Sequence, residues 1–169
     1  FPKLTADNGY TINDPGLYPN GTQDFSAQIS SYKKNDDQIL TGVPIPPDFT
    51  TFWKQAKQQG YTPKIATIGK ALLFPASIEA LGDIGQNLGT EVWWTPSYPF
   101  KSSLTGQSAA ELAQGYTDAT TKQWTQPIGF TEALYEVLQA AVVDAGGPDK
   151  EAVATALSRS EEHTSELQS

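Results

Sequence analysis

Apolar residues recur at strand and helix spacings in alternating order along this chain, most clearly between Gln38 and Phe74. Gln38–Thr41 is a short apolar run, read as a strand and stopped by Gly42. Phe49, Phe52, Trp53 and Ala56 then fall at the i, i+3, i+4, i+7 spacing of one helix face. Pro46 and Pro47 delay that helix, Asp48 is placed to cap it, and Gly60 offers a left-handed stop. Lys64–Ile68 reads as a second strand closed by Gly69. Two strands joined by a helix of this length predict a parallel βαβ unit with a right-handed crossover.

The flanking segments continue the alternation. Phe1–Asn8 reads as the end of a helix and Tyr10–Asn13 as a short strand, followed by the turn-rich DPGLYPNG. Asn20-Gly21-Thr22 fits a glycosylation acceptor, but Asn-Gly is first a turn signal and is read as one. Phe25, Ile29 and Tyr32 mark the buried face of a helix over about 24–35, capped by Thr22 or Asp24. Pro75–Leu81 gives one or two helical turns before a loop around Gly82, Gly85 and Gly89. Thr90–Thr95 is β-branched and aromatic, hence a strand whose Trp93 and Trp94 point to opposite faces. Pro96–Gly106 is irregular, and Ser108 to Glu111 is a capping box opening a helix with Leu112, Tyr116 and Ala119 on one face. After a turn over 123–127 comes a helix from Gly129 to Ala145, with a broad stripe including Phe130, Leu134, Val137, Leu138 and Val142. Asp149 caps a short helix through Leu157. This order implies an α/β fold with a parallel sheet.

With 169 residues the chain is long enough for a domain with a real core. The net charge is −8 without clustered Lys or Arg, which argues against nucleic acid and anionic membrane as partners. No stretch reaches the length of a membrane-spanning helix, and the absence of cysteine suits an oxidising compartment without proving one. The chain starts at Phe1 and contains no methionine, so it reads as a fragment. Arg159–Ser169, RSEEHTSELQS, reads as the in-frame translation of a sequencing adapter. It holds the sole histidine, His163, and without it the net charge becomes −6.

Catalytic signatures are missing. There is no cysteine, no histidine outside that tail and no G-x-S-x-G elbow; Ser108 is better explained as a cap. Gly69-Lys70 lacks the upstream glycine and following Ser/Thr of a phosphate loop, and Gly82, Gly85 and Gly89 are too widely spaced for a dinucleotide fingerprint. Asp36-Asp37 reads as a solvated pair rather than a metal site. The expectation is a protein that is not an enzyme and uses no metal or cofactor.

What remains is a concave site for a small organic solute. Open parallel sheets bind ligands beyond the carboxyl ends of their strands, which places the loops over 42–47 and 69–74 side by side there. Val43, Pro44 and Ile45 offer backbone groups and apolar contact, or else merely a rigid connector. Gly69 and Lys70 follow the second strand, where the lysine either holds a ligand carboxylate or amide oxygen or is solvated. Tyr98 and Phe100 lie just past the tryptophan pair, of which Trp94 is the candidate for stacking on a solute.

The stretch TGVPIPPDFTTFWKQAKQQGYTPKIATIGKALLFP, with DFSAQISSYKKNDDQILTG upstream and WTQPIGFTEALYEVLQAAVVDAG downstream, resembles the branched-chain amino-acid type of ABC-transporter substrate-binding protein. The resemblance covers roughly Phe1 to Leu157 and implies an incomplete type I periplasmic binding fold, α/β with a parallel sheet. It implies a ligand-binding lobe over 1–94, a return segment over 95–158 packing on another, mostly missing lobe, and the adapter-derived tail over 159–169. It further implies a receptor that passes a small-molecule solute (an amino acid, amide or organic or aromatic acid) to a membrane ABC permease. The implied location is the periplasm, or the cell surface as a lipoprotein, with no membrane insertion by this stretch. Leucine-type members carry an acidic residue after the strand matching Lys64–Ile68, where this chain has Gly69 beside Lys70, and their preceding-loop tyrosine falls near Ile45. That departure favours an anionic or neutral solute over an α-ammonium. A ligand-sensing domain of the same fold is the alternative, and a Rossmann-like enzyme a remote one.

Overall fold

The computed structural model describes residues 2–166, with side chains given except at positions 2, 4 and 160–166. The chain divides into two compact units, the first ending at Glu91 and the second beginning at Val92.

The first unit is built on the expected βαβ element. Strand β1 (Ile39–Gly42) pairs in parallel with β2 (Ile65–Ile68), Ile39 opposite Ile65 and Gly42 opposite Ile68. The strands alternate as a half-buried sheet should: Leu40, Ala66 and Ile68 turn inward, while Ile65 remains 54% exposed. Between them α3 (Pro46–Gln58) lays Phe49, Trp53 and Ala56 into the core. Ile45 is its N-cap and the two prolines take the first helical positions, where a missing N–H leaves no bond unmade. Asp48 therefore does not cap the helix; it sits in the first turn, 2% exposed, accepting the Gly21 N–H at 3.0 Å. Gly60 (φ 73°) ends the helix: its own N–H reaches the Lys57 carbonyl and that of Tyr61 the Ala56 carbonyl.

Helix α2 (Ser26–Lys34) packs on α3 through Phe25, Ile29 and Tyr32. The Phe25 ring stands edge-on to Tyr18 and Phe52, and Tyr32 stacks on Tyr61. Each such side chain withdrawn from water contributes about 1.5–3 kcal/mol before entropy is counted. Asp24 accepts the Ser26 N–H at the helix start, whereas Thr22 donates to the Pro19 carbonyl. Helix α1 spans Pro2–Asp7; α4 (Pro75–Glu79) and a 3₁₀ turn (Gly82–Gly85) follow β2.

Two expected strands do not form. Over 10–13 the backbone runs without a ladder: the Tyr10 N–H turns back to Thr5, and the Asn13 side chain donates to Asp37 Oδ2 and Ser31 Oγ. The segment is a polar anchor, not a β element. At 90–95 sheet pairing is confined to Gly89, which bridges Thr67 in parallel, donating to Ala66 and accepting from Ile68. Past it the Trp93 and Trp94 N–H groups go to the side chain of Gln126 and Thr95 enters a turn, so the ladder stops. The two tryptophans do face different ways, but Trp94, the expected stacking residue, is the one packed in the core at 8% exposed, and Trp93 is the open one at 48%.

The second unit holds α5 (Ala109–Thr120), α6 (Pro127–Asp144) and α7 (Lys150–Glu166). The capping box forms in full: the Glu111 N–H donates to Ser108 Oγ, and the Ser108 N–H to the Glu111 carboxylate. The buried face of α5 is carried by Ala109 and Ala113 beside half-buried Leu112 and Tyr116, while Ala119 is exposed. Trp94 packs against these alanines, which puts 92–94, expected with the first lobe, in the second unit. Asp149 receives the Ala152 N–H and starts α7, which continues past Leu157 because no glycine or proline follows to break it. The side chain of His163 lies outside the described residues.

Candidate functional site

The carboxyl ends of β1 and β2 are tied together by one bond, the Gly69 N–H donating to the Gly42 carbonyl at 2.9 Å. Val43, Pro44, Ile45 and Lys70 thereby line a single cavity of about 470 Å³, and Val43 also approaches the place where a Gly69 side chain would stand. The far wall comes from the 14–20 loop and from α2, with Tyr18, Gln28 and Tyr32, none of which the sequence reading placed at the site. Tyr18 was legible only as a turn residue, and Gln28 only as a polar break in an apolar stripe.

Both phenols at this wall hold their protons. Burial, then the Asp48 charge, raises Tyr18 above the ordinary tyrosine value; burial, then the carboxylates of Asp14 and Asp37, does the same for Tyr32. They are neutral hydroxyl groups at any physiological pH.

Lys70 adopts left-handed backbone geometry (φ 53°), and its N–H donates to Glu91 Oε1 at 2.8 Å. A methyl group at position 69 would lie 2.9 Å from that same oxygen. The bare glycine thus makes room for the Glu91 carboxylate. A carboxylate from position 91 is held against the end of β2 through the Lys70 backbone.

Trp94, Tyr98 and Phe100 line a different cavity, of about 270 Å³, in the second unit. Gln126, itself buried, anchors it by accepting the Trp93 N–H at 2.6 Å, and Trp94 packs across Gly129 at the start of α6. Trp93 and Phe130 meet with ring centres 5.1 Å apart, and Tyr98 and Phe100 at 6.2 Å. Glu132 and Glu136 on α6 accept from the Ser102 hydroxyl and the Ser103 N–H, holding the irregular 96–106 segment onto the helix. Among the described residues no group of His, Cys, Asp or Glu is arranged to hold a metal ion, and no helix is long and apolar enough to cross a membrane.

A parallel βαβ unit with a solute-sized hollow at its strand ends suits many α/β proteins, and comparison with known families decides among them. A family model described as periplasmic binding protein matches residues 2–164. The chain belongs to the periplasmic binding protein family. Among solved structures it is similar to a leucine-binding protein from Thermotoga maritima, with a TM-score of 0.68 at 24% identity over 83% of this chain. Chains described as branched-chain amino acid ABC transporters from Rhodospirillum rubrum (TM-score 0.56, 17% identity) and Silicibacter pomeroyi (0.59, 16%) each match over 82% of it. These likenesses show the type I periplasmic binding fold. The chain spans 38%, 38% and 35% of those three proteins' lengths. No curated protein sequence matches it.

Proposed function

We propose that the complete protein is a solute-binding receptor of an ABC importer, capturing a small organic solute and presenting it to a membrane permease. The carrying observation is the convergence of Val43, Pro44, Ile45 and Lys70 on one cavity at the carboxyl ends of two parallel strands, in a chain of the periplasmic binding protein family. Gly69 shapes that wall, while Trp94, Tyr98 and Phe100 line a separate cavity within the second unit. Lys70 offers a positive charge in that cavity, which fits a solute bearing a carboxylate or amide oxygen: an amino acid, an amide or an organic acid. The receptor acts outside the cytoplasmic membrane, in the periplasm or at the cell surface, and makes or breaks no covalent bond.

Titration of the complete protein with amino acids, amides and aromatic acids, followed by tryptophan fluorescence and calorimetry, tests this. The expected result is saturable binding of one class at micromolar solute or below, weakened tenfold or more by Lys70→Ala for carboxylate-bearing solutes. Absence of binding across all three classes overturns the reading.

A further inference from the structure

The cavity of the second unit is walled by aromatic rings that the helix packing leaves open. Trp93 and Phe130 stand with centres 5.1 Å apart yet are 48% and 42% exposed, and Phe100, edge-on to Tyr98, is 73% exposed. Such rings carry large apolar area and are ordinarily withdrawn from water. Here the backbone fixes them at a hollow: Gln126 holds the Trp93 N–H, Lys101 and Ser108 form a bridge, and the Ser102 N–H donates to the Gln107 carbonyl at 2.8 Å. The charges of the lining do not balance. Glu132 and Glu136 stand one turn apart on α6, where like charges repel. That helix has no Lys or Arg, and neither glutamate forms an ion pair among the described residues. Each accepts a hydrogen bond, from Ser102 Oγ and the Ser103 N–H, and a carboxylate has lone pairs for more. Lys101 is the cation of the lining, and its field is shared with Glu111, a carboxyl held below its usual range first by hydrogen bonds from Ser108 and then by that ammonium.

We propose that this cavity is a second binding site, for a small organic cation whose methylated ammonium head sits on Trp93 and Phe130 beside Glu132 and Glu136. Aromatic faces are electron-rich and two carboxylates add to their field, so the hollow draws positive charge. A hard metal ion is a poor occupant, because it calls for about six oxygen ligands and the walls are mostly rings. A primary ammonium is also disfavoured: its N–H groups call for directional acceptors, and both carboxylates already hold the 102–103 backbone and hydroxyl groups. A quaternary head has diffuse charge and apolar methyl groups, which need ring surface and a negative field but no hydrogen bond. The volume of about 270 Å³ takes such a head with a short tail. The inference stands on the second unit alone and goes beyond the receptor reading of the strand-end cavity.

Calorimetry and tryptophan fluorescence on the complete protein should compare choline with its uncharged isostere, the alcohol in which a tert-butyl group replaces the trimethylammonium. Choline should bind saturably, and the isostere about tenfold more weakly. Glu132→Gln combined with Glu136→Gln keeps acceptors for Ser102 and Ser103 while removing both charges, and should weaken choline about fivefold. Phe130→Leu removes one ring and should weaken choline with helix content unchanged by circular dichroism; should that variant lose helix, the glutamine pair decides alone. Equal binding of choline and the isostere, or no saturable signal from choline up to about 10 mM, overturns the proposal. So does choline binding that none of these substitutions alters, since the cation would then sit elsewhere.

Discussion

Glu91 Oε1 lies 2.8 Å from the Lys70 backbone nitrogen and fills the space that any side chain at position 69 would need. Left-handed geometry at a lysine costs about 1–2 kcal/mol, and the charge-assisted bond to Glu91 offsets part of that. The three residues thus act as one device at the end of β2. The colliding atom belongs to the tip of a flexible side chain, so Gly69→Ala should leave stability within about 1 kcal/mol of the native value. It should nonetheless dislodge the carboxylate and change solute affinity several-fold. Lys70→Gly should do the converse, raising stability by about 1 kcal/mol while losing affinity for carboxylate-bearing solutes. Denaturant titration beside calorimetry separates the two effects; a large stability loss in Gly69→Ala refutes the arrangement.

Gly129 has no such tolerance. A Cβ there would fall 2.0 Å from Trp94 Cγ and hardly farther from its ring neighbours, far inside van der Waals contact with the indole. Neither the ring, packed on Ala109 and Ala113, nor the helix backbone has room to yield. Gly129→Ala should destabilise the second unit by about 3 kcal/mol and expel the indole. A lowered denaturation midpoint with red-shifted tryptophan emission is the expected signature, and a native-like emission maximum would contradict it.

Asp48 fastens the Asn20-Gly21 turn to the start of α3. Its two oxygens lie 3.0 and 3.3 Å from the Gly21 nitrogen, in a spot almost closed to solvent. Asp48→Ala leaves that N–H without its partner and should cost about 2 kcal/mol. Amide hydrogen exchange at Gly21 should accelerate in the variant, and unchanged protection would show that the turn is held by something else.

How much of this was legible beforehand follows from where each element finds its partners. The βαβ unit could be read because strand, helix and stop are local: the stripe Phe49, Phe52, Trp53, Ala56 and the glycine at position 60 determine it without reference to the rest of the chain. The juxtaposition of Val43 with Lys70 then followed from parallel pairing alone. The segments 10–13 and 90–95 have strand-like composition, but a strand exists only beside another. The Tyr10 amide turned back to the Thr5 carbonyl of the preceding helix, and the Trp93 amide found the Gln126 side chain 33 residues on, a long-range outcome that no local pattern encodes. The same holds for Glu91, whose approach to position 69 is a contact across 22 residues.

Alkaline pH should loosen the first unit through Tyr61. Burial, followed by the nearby Asp37 charge, lifts its phenol from the ordinary 10.0 to about 12, and the hydroxyl donates to the Asp37 carbonyl at 3.1 Å. Below pH 10 the group is protonated folded or unfolded, and its contribution to folding is complete. Above that value the unfolded chain releases the proton while the folded one retains it, so stability falls as pH rises from 10 towards 12. Tyr61→Phe should flatten the decline across that window. A slope identical to the native one, measured by urea denaturation at several pH values, would assign the loss to other groups.

The broad stripe of α6 makes its own demand. Leu134 (66% exposed), Val137 and Leu138 stand with Phe130 along one side of the helix, open to water. A row of this kind, repeated every turn, is far more apolar than a soluble monomer ordinarily presents. The 169-residue chain produced by itself should accordingly self-associate or precipitate at micromolar concentration and show no solute binding. Leu134→Glu combined with Leu138→Lys places opposite charges at i and i+4 on that stripe and should shift the chain towards monomer without loss of helix content. Sedimentation velocity together with circular dichroism reads both quantities. A cooperative, monomeric melt of the unmodified chain would show instead that this face is tolerated as it stands.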